Sequence, residues 1–167
     1  RANYIYKGRK ADIYDGGHRV PYIAKWPGVI PAGLESNQLI CTTDLFATLA
    51  GVLHQPKVEK GAEDSYNLWP AYTTSLKTPI REAVVHHSMY GMFSIRKGQW
   101  KYTPNLGSGG FTKPKAIEAK PNEAPGTLYD MISDPQEKNN LYKEYPAIVK
   151  ELNGLLETYK KQGYSNK

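Results

Sequence analysis

The residues able to take part in chemistry are few, and most stand near the start of the chain. Residues 10–19 (KADIYDGGHR) hold a lysine, two acids, a histidine and an arginine around a glycine pair. Asp15 and Arg19 lie four apart across Gly16-Gly17. A carboxylate and a guanidinium at that spacing can form a bidentate pair, and paired glycines allow backbone angles that other residues resist. The expectation is that Asp15, Gly16, Gly17 and Arg19 shape a loop and do no chemistry themselves. Lys10, taken alone, reads as a surface lysine. His18 and the pair His86-His87 are the remaining candidates for a site, since an imidazole changes charge near neutral pH. Neighbouring residues on a strand point to opposite faces, so at most one of His86 and His87 can face a pocket. Two adjacent histidines with no third ligand nearby do not make a metal site.

The chain has one cysteine, Cys41, which excludes an internal disulfide and a cysteine-based zinc site. Within Leu39-Ile40-Cys41 it is expected to be a buried small hydrophobe. The 22 Lys+Arg against 16 Asp+Glu leave a formal charge of +6. That excess suits an anionic ligand such as sulfate, phosphate or an acidic polysaccharide. The basic residues are scattered and form no stripe, which argues against nucleic acid. Nothing approaches the roughly 20 consecutive apolar residues of a membrane span. The chain opens at Arg1 among charged and aromatic residues, without a basic–apolar–small signal pattern, and reads as a fragment of a longer chain.

The elements that would position these residues follow from periodicity. Val20 to Trp26 is short, apolar and bounded by glycine and proline, so it reads as a strand; Gln38 to Thr42 is a second candidate. Thr43-Asp44 is expected to cap a helix over 45–50, with Gly51 as its stop and Leu45, Phe46, Leu49 and Val52 turned inward. The run 55–67 is polar and turn-rich, and a short helix follows over 68–76. Three strands, Ala83 to Ser88, Met92 to Arg96 and Gln99 to Tyr102, are separated by Tyr90-Gly91 and Lys97-Gly98 and predict an antiparallel meander. Thr127 to Met131 adds a fourth. The intervening loop, 104–126, carries Lys113, Lys115 and Lys120 and is too long for a simple connection, so it is expected to be functional or disordered. Ile148, Leu152, Leu155, Leu156 and Tyr159 recur at helical spacing between Pro146 and Gly163. The fold class is α/β. Residues 1–80 read as the incomplete C-terminal end of a large α/β domain, and 81–167 as a small four-stranded antiparallel sheet packed on a C-terminal helix.

Three stretches carry a resemblance. The first is Lys10-Ala11-Asp12-Ile13-Tyr14-Asp15-Gly16-Gly17-His18-Arg19-Val20-Pro21, continuing to Trp26-Pro27-Gly28. The second is Thr43-Asp44-Leu45-Phe46-Ala47-Thr48-Leu49. The third is Leu128-Tyr129-Asp130-Met131 with Asp134-Pro135-Gln136-Glu137-Lys138-Asn139-Asn140-Leu141. In order and spacing they resemble the sulfatases of arylsulfatase type, in the alkaline phosphatase superfamily. Gly61 to Ser65 and Val85-His86-His87-Ser88 through Phe93-Ser94-Ile95-Arg96 resemble the bacterial polysaccharide sulfatases.

The resemblance implies a sulfuric ester hydrolase with a formylglycine nucleophile, made from Cys or Ser in a C/S-x-P-x-R motif, and a calcium ion held by Asp and Asn oxygens. Cys41 is followed by Thr-Thr-Asp-Leu and Ser133 by Asp-Pro-Gln-Glu, so neither fits the motif. Nucleophile and calcium are expected upstream, with no metal ligands in this chain and no activity from it alone. By its place in the first motif, Lys10 matches the family lysine that reaches the sulfate. Asp15 stands where the family usually has Glu. The resemblance also implies a sulfated small molecule or polysaccharide as substrate, the upstream catalytic segment as partner, and a periplasmic or secreted location. Two other readings stay open: a phosphomonoester or phosphonate hydrolase of the same superfamily, and a non-catalytic module binding sulfated glycans.

Overall fold

The computed structural model describes residues 4–56 and 61–166. Arg1 and positions 57–60 of the expected polar run lie outside the described residues. Contacts group the chain into two compact units that are not contiguous in sequence: Arg1–Val20 with Val85–Thr158, and Pro21–Val84 with Tyr159–Lys167.

The first unit is built on a sheet of four strands, β1 (Val84–His87), β2 (Phe93–Lys97), β3 (Trp100–Thr103) and β4 (Thr127–Asp130), in the order β1-β2-β3-β4. The meander forms because β-branched and aromatic residues are cut at short intervals by turn residues. At one turn Gly98 takes φ +54, a conformation glycine adopts without penalty. Lys97 pairs with Trp100 across it, and Trp100 pairs with Asp130 on the other side. Helix α3 (Pro146–Gln162) buries Val149, Leu152 and Leu156. It is tied to the sheet by Tyr102 Oη donating to Asn153 Oδ1 at 3.0 Å and by Lys97 Nζ at 3.0 Å from Glu151. Ile13, Ile95, Leu128 and Met131 complete the core.

The loop 104–126 is neither disordered nor bland in its first half. Residues 107–110 are buried, Gly109 N donates to Lys115 O at 2.8 Å, and Leu106 bridges Ile117. The third motif is a turn. Asp134 accepts from Lys138 N and Asn139 N at 2.7 and 2.8 Å, and Asn140 Oδ1 accepts from Leu128 N at 3.0 Å. Glu137 sits at its tip with φ +54, buried.

In the second unit, a short 3-10 turn over Thr42–Asp44 leads into α1 (Leu45–Val52), and α2 is Trp69–Thr73. Asp44 does not cap α1 with its side chain. Its carboxylate accepts from Cys41 N at 2.7 Å and Tyr66 N at 3.0 Å, and Arg81 Nη1 reaches both oxygens at 3.0 and 2.8 Å. Thr48 Oγ1 donates to Asp44 O at 2.7 Å and accepts from Leu68 N at 2.9 Å. The second motif is thus a buried polar junction, satisfied on every side as burial requires.

Several expectations need correction here. Val20 to Trp26 is not a strand; Ile23 is 90% exposed and no described strand pairs with the segment. Strand backbone needs a neighbour for its N–H and C=O groups, and local β-propensity does not supply one. Nor is Gln38 to Thr42 a strand. There the Gln38 side chain takes the neighbour's place, donating to Leu76 O and Thr78 O and accepting from Ile80 N. Leu45, Phe46 and Leu49 are half exposed, not inward. Gly51 lies inside α1, where a Cβ would come 2.3 Å from the Asn67 side chain. Cys41 is half-buried.

Candidate functional site

The site is a loop, residues 4–19, held against the first unit's sheet by two buried acids. Asp12 N donates to Arg9 O at 3.0 Å, which closes a turn with Lys10 and Ala11 at its corner. Ala11 has φ +80, a conformation that type II turns reserve for glycine at this position. The strained residue is held because Ala11 O accepts from Met89 N at 2.9 Å. Lys10 is therefore exposed on a turn whose backbone is fixed on both sides.

The Asp12 carboxylate, 0% exposed, accepts four hydrogen bonds: from Arg9 N at 2.9 Å, Thr112 Oγ1 at 2.5 Å, Phe111 N at 2.8 Å and Thr112 N at 3.0 Å. Burial alone would raise its pKa. The donors of Thr112, Arg9 and Phe111 outweigh that and hold it below the usual carboxylate range. Ile13 N donates to Ser108 O at 2.8 Å. The buried glycines of the long loop thus close on the Lys10 turn, and a Cβ at Gly110 would come 2.4 Å from Ala11 O.

Asp15 is the second acid. Lys101 Nζ lies 2.9 Å from Asp15 Oδ1 and 2.9 Å from Glu137 Oε1, and Asp15 N donates to Glu137 Oε2 at 2.9 Å. Arg96 Nη1 stands 3.5 Å and Arg19 Nη1 3.3 Å from Asp15 Oδ2. Lys101 is 1% exposed, so this is an interior ion cluster, whereas the half-exposed Arg19 is screened and adds little. Burial would raise Asp15, but Lys101, Arg96 and Arg19 hold it below its ordinary value. Glu137 goes the other way, because burial outweighs Lys101 there. Residues 15–17 form a 3-10 turn in which Gly17 serves by its size: a Cβ would come 2.2 Å from Asp12 O.

His18 and His86 meet with ring centroids 3.9 Å apart, and the Nε2 atom of each is buried without a hydrogen-bond partner. Burial, with the nearby Lys101 charge, depresses His18 to about 4 and His86 to about 2. Both imidazoles are uncharged at neutral pH. His87 stands apart, exposed, its Nδ1 2.9 Å from Ser88 O. The structure brings Lys10, Asp15, Gly16, Gly17, His18, Arg19 and His86 to one loop and the strand beneath it.

Sequence reasoning did not single out Lys101, and Asp12, Arg96 and Glu137 entered only as motif letters. A lysine between Trp100 and Tyr102 in a strand carries a weak signal of an inward charge; Asp12 carries none. Among the described residues no group of three or more His, Cys, Asp and Glu is placed to hold a metal. The calcium implied by the resemblance finds no ligand set there.

No family model matches the chain. The chain is 35% identical over 161 residues to the N-acetylgalactosamine-6-O-sulfatase of Bacteroides thetaiotaomicron, a match covering 93% of this chain and 30% of that protein. To human steryl-sulfatase it is 30% identical over 156 residues, covering 84% of this chain and 27% of that one. A solved structure described under the metabolism of multiple glycosaminoglycans by Bacteroides thetaiotaomicron superposes with a TM-score of 0.79 at 35% identity, over 94% of this chain and 32% of the other. The chain spans about 30% of the length of the curated relatives it matches. The similarity to sulfatases runs over nearly the whole length of this chain.

Proposed function

We propose that the chain is the C-terminal part of a sulfuric ester hydrolase that cleaves sulfate monoesters on a carbohydrate. The formylglycine nucleophile and the calcium ion belong, in this reading, to a segment upstream of Arg1. The observation that carries the reading is the Lys10 turn. An exposed ammonium follows the family's spacing to Asp15-Gly16-Gly17, and its backbone is fixed by hydrogen bonds from Asp12 N and Met89 N. A cation carried on a fixed turn offers three donors to a sulfate whose charge must be held as the S–O bond breaks. The carbohydrate substrate is supported by the N-acetylgalactosamine-6-O-sulfatase relative. The half-exposed Leu45, Phe46 and Leu49 of α1 form the surface proposed to receive the upstream segment. A periplasmic or secreted location belongs to the same reading.

The test is turnover of a sulfated saccharide by the full-length enzyme. Lys10→Ala is expected to lower it by about a hundredfold, the usual cost of losing one preorganised group at a developing charge. The 167-residue chain alone is expected to release no sulfate. Full turnover in Lys10→Ala would remove Lys10 from the site, and metal-dependent release by the chain alone would overturn the upstream placement of nucleophile and calcium.

A further inference from the structure

Beside the Lys10 turn lies an open groove of about 660 Å³, lined by Lys7, Gly8, Arg9, Phe111, Thr112 and Lys113. It combines two features that nothing in the proposed sulfate contact uses. Phe111 is 43% exposed at its wall. An aromatic ring left open beside polar groups is an unfilled stacking platform. The second feature is charge: all three ionisable side chains lining the groove are cationic. The Arg9 guanidinium spends one nitrogen on a neutral acceptor, Phe111 O, at 3.0 Å. Among the described residues, no carboxylate pairs with Arg9 or Lys113. Lys7 is partly committed, lying 4.1 Å over the Tyr14 ring and 3.3 Å from Glu137 O. The nearest carboxylate on the loop, Asp12, is wholly buried and already meets four donors, so it does not face a ligand in the groove.

The walls are also fixed relative to each other. The Asp12 hydrogen bonds to Arg9 N, Phe111 N and Thr112 N join the two loops that form the groove. A rigid aromatic face with unpaired cations at its rim fits a flat ring bearing an anionic group. We infer that this groove is a second saccharide site, which stacks an acidic pyranose on Phe111 and pairs its sulfate or carboxylate with Arg9 and Lys113. Resting on the carbohydrate reading above, it would bind a sugar flanking the one that carries the scissile ester, and so set which polymer is accepted.

The experiment is calorimetric titration of the 167-residue chain with a 6-sulfated chondroitin tetrasaccharide, with its desulfated counterpart, and with a neutral chitin tetrasaccharide. Saturable binding of the sulfated probe is expected. The desulfated arm separates the sources of charge: retained affinity assigns recognition to the uronate carboxylate, lost affinity assigns it to the sulfate, and both agree with the proposal. Phe111→Ala is expected to weaken binding about fivefold to tenfold. Lys113→Gln, at an exposed position, is expected to weaken it about threefold and to flatten its salt dependence. Neutral chitin bound as tightly as the acidic probe would overturn the proposal. So would unchanged affinity in Phe111→Ala, which would mark the binding as diffuse charge attraction. Because the readout is binding, groove variants that bind normally while Lys10→Ala loses turnover sink this inference alone. A groove that binds while the full-length protein turns over no sulfate ester sinks only the sulfatase reading.

Discussion

At the scale of single residues, the charges nearest the Lys10 loop are set by burial and by their partners. His18 and His86 are the sharpest case. Their folded pKa values, about 4 and about 2, lie below the ordinary 6.5, so the unfolded chain binds more protons on acidification. Stability from these groups is complete above pH 6.5 and is lost as pH falls toward 4. The loss over that window is on the order of 3 kcal/mol or more. Glu137 works against it, since a raised folded pKa favours the folded state as that carboxyl is protonated. Asp12 and Asp15, held below their ordinary values, keep their contribution until the pH drops below the usual carboxylate range. Urea unfolding between pH 7 and 5 is expected to show falling stability in the wild type and a shallower fall in His86→Phe. Identical slopes in the two proteins would mean that the imidazole pair is not what makes the chain sensitive to acid.

At the scale of elements, the Lys10 turn and the long loop behave as one piece, and Asp12 is the reason. An amide in place of its carboxylate keeps the shape but turns an NH2 toward N–H and O–H donors. Asp12→Asn is therefore expected to cost about 2 kcal/mol or more and to open residues 113–120 to proteolysis. Unfolding at the wild-type urea midpoint, with unchanged cleavage, would refute that role. This joint also marks where sequence stops being legible. The four strands and α3 are local, so periodicity and turn residues place them to within a residue or two. Val20 to Trp26 and Gln38 to Thr42 have strand composition without strand structure, because pairing depends on a neighbour that composition does not reveal. The Asp15–Arg19 spacing is visible in the sequence. The contacts to Lys101, Glu137 and Arg96 are not, since those residues come from 81 to 122 positions away and only the folded sheet brings them in. The motif letters at Asp44, Thr48, Asp134 and Asn140 stand out in the sequence, while their work in tying turns together shows only in the hydrogen bonds.

At the scale of the molecule, the two units differ in how fully they cover their apolar residues. In the first, Ile95, Leu128 and Leu156 are completely buried. In the second, Leu45, Phe46 and Leu49 are 49% to 50% exposed and their spacing puts them along one side of α1, with Leu53, 65% exposed, just past its end. Single exposed hydrophobes are ordinary, but a contiguous row on one helix face is the mark of a surface that another surface covers. The row follows directly from Asp44, whose contacts with Arg81, Tyr66 and Cys41 fix the start of the helix and hence its rotation. With that face open, the 167-residue chain is expected to self-associate as its concentration rises. Phe46→Lys and Leu49→Lys together should abolish the association measured by sedimentation equilibrium. Their effect on the thermal midpoint should be small, because side chains already half in water lose little burial on substitution. A wild-type chain that stays monomeric at high concentration would leave the face without a partner to explain it. A double variant that no longer folds would show instead that the row packs inward, against the second unit's own core.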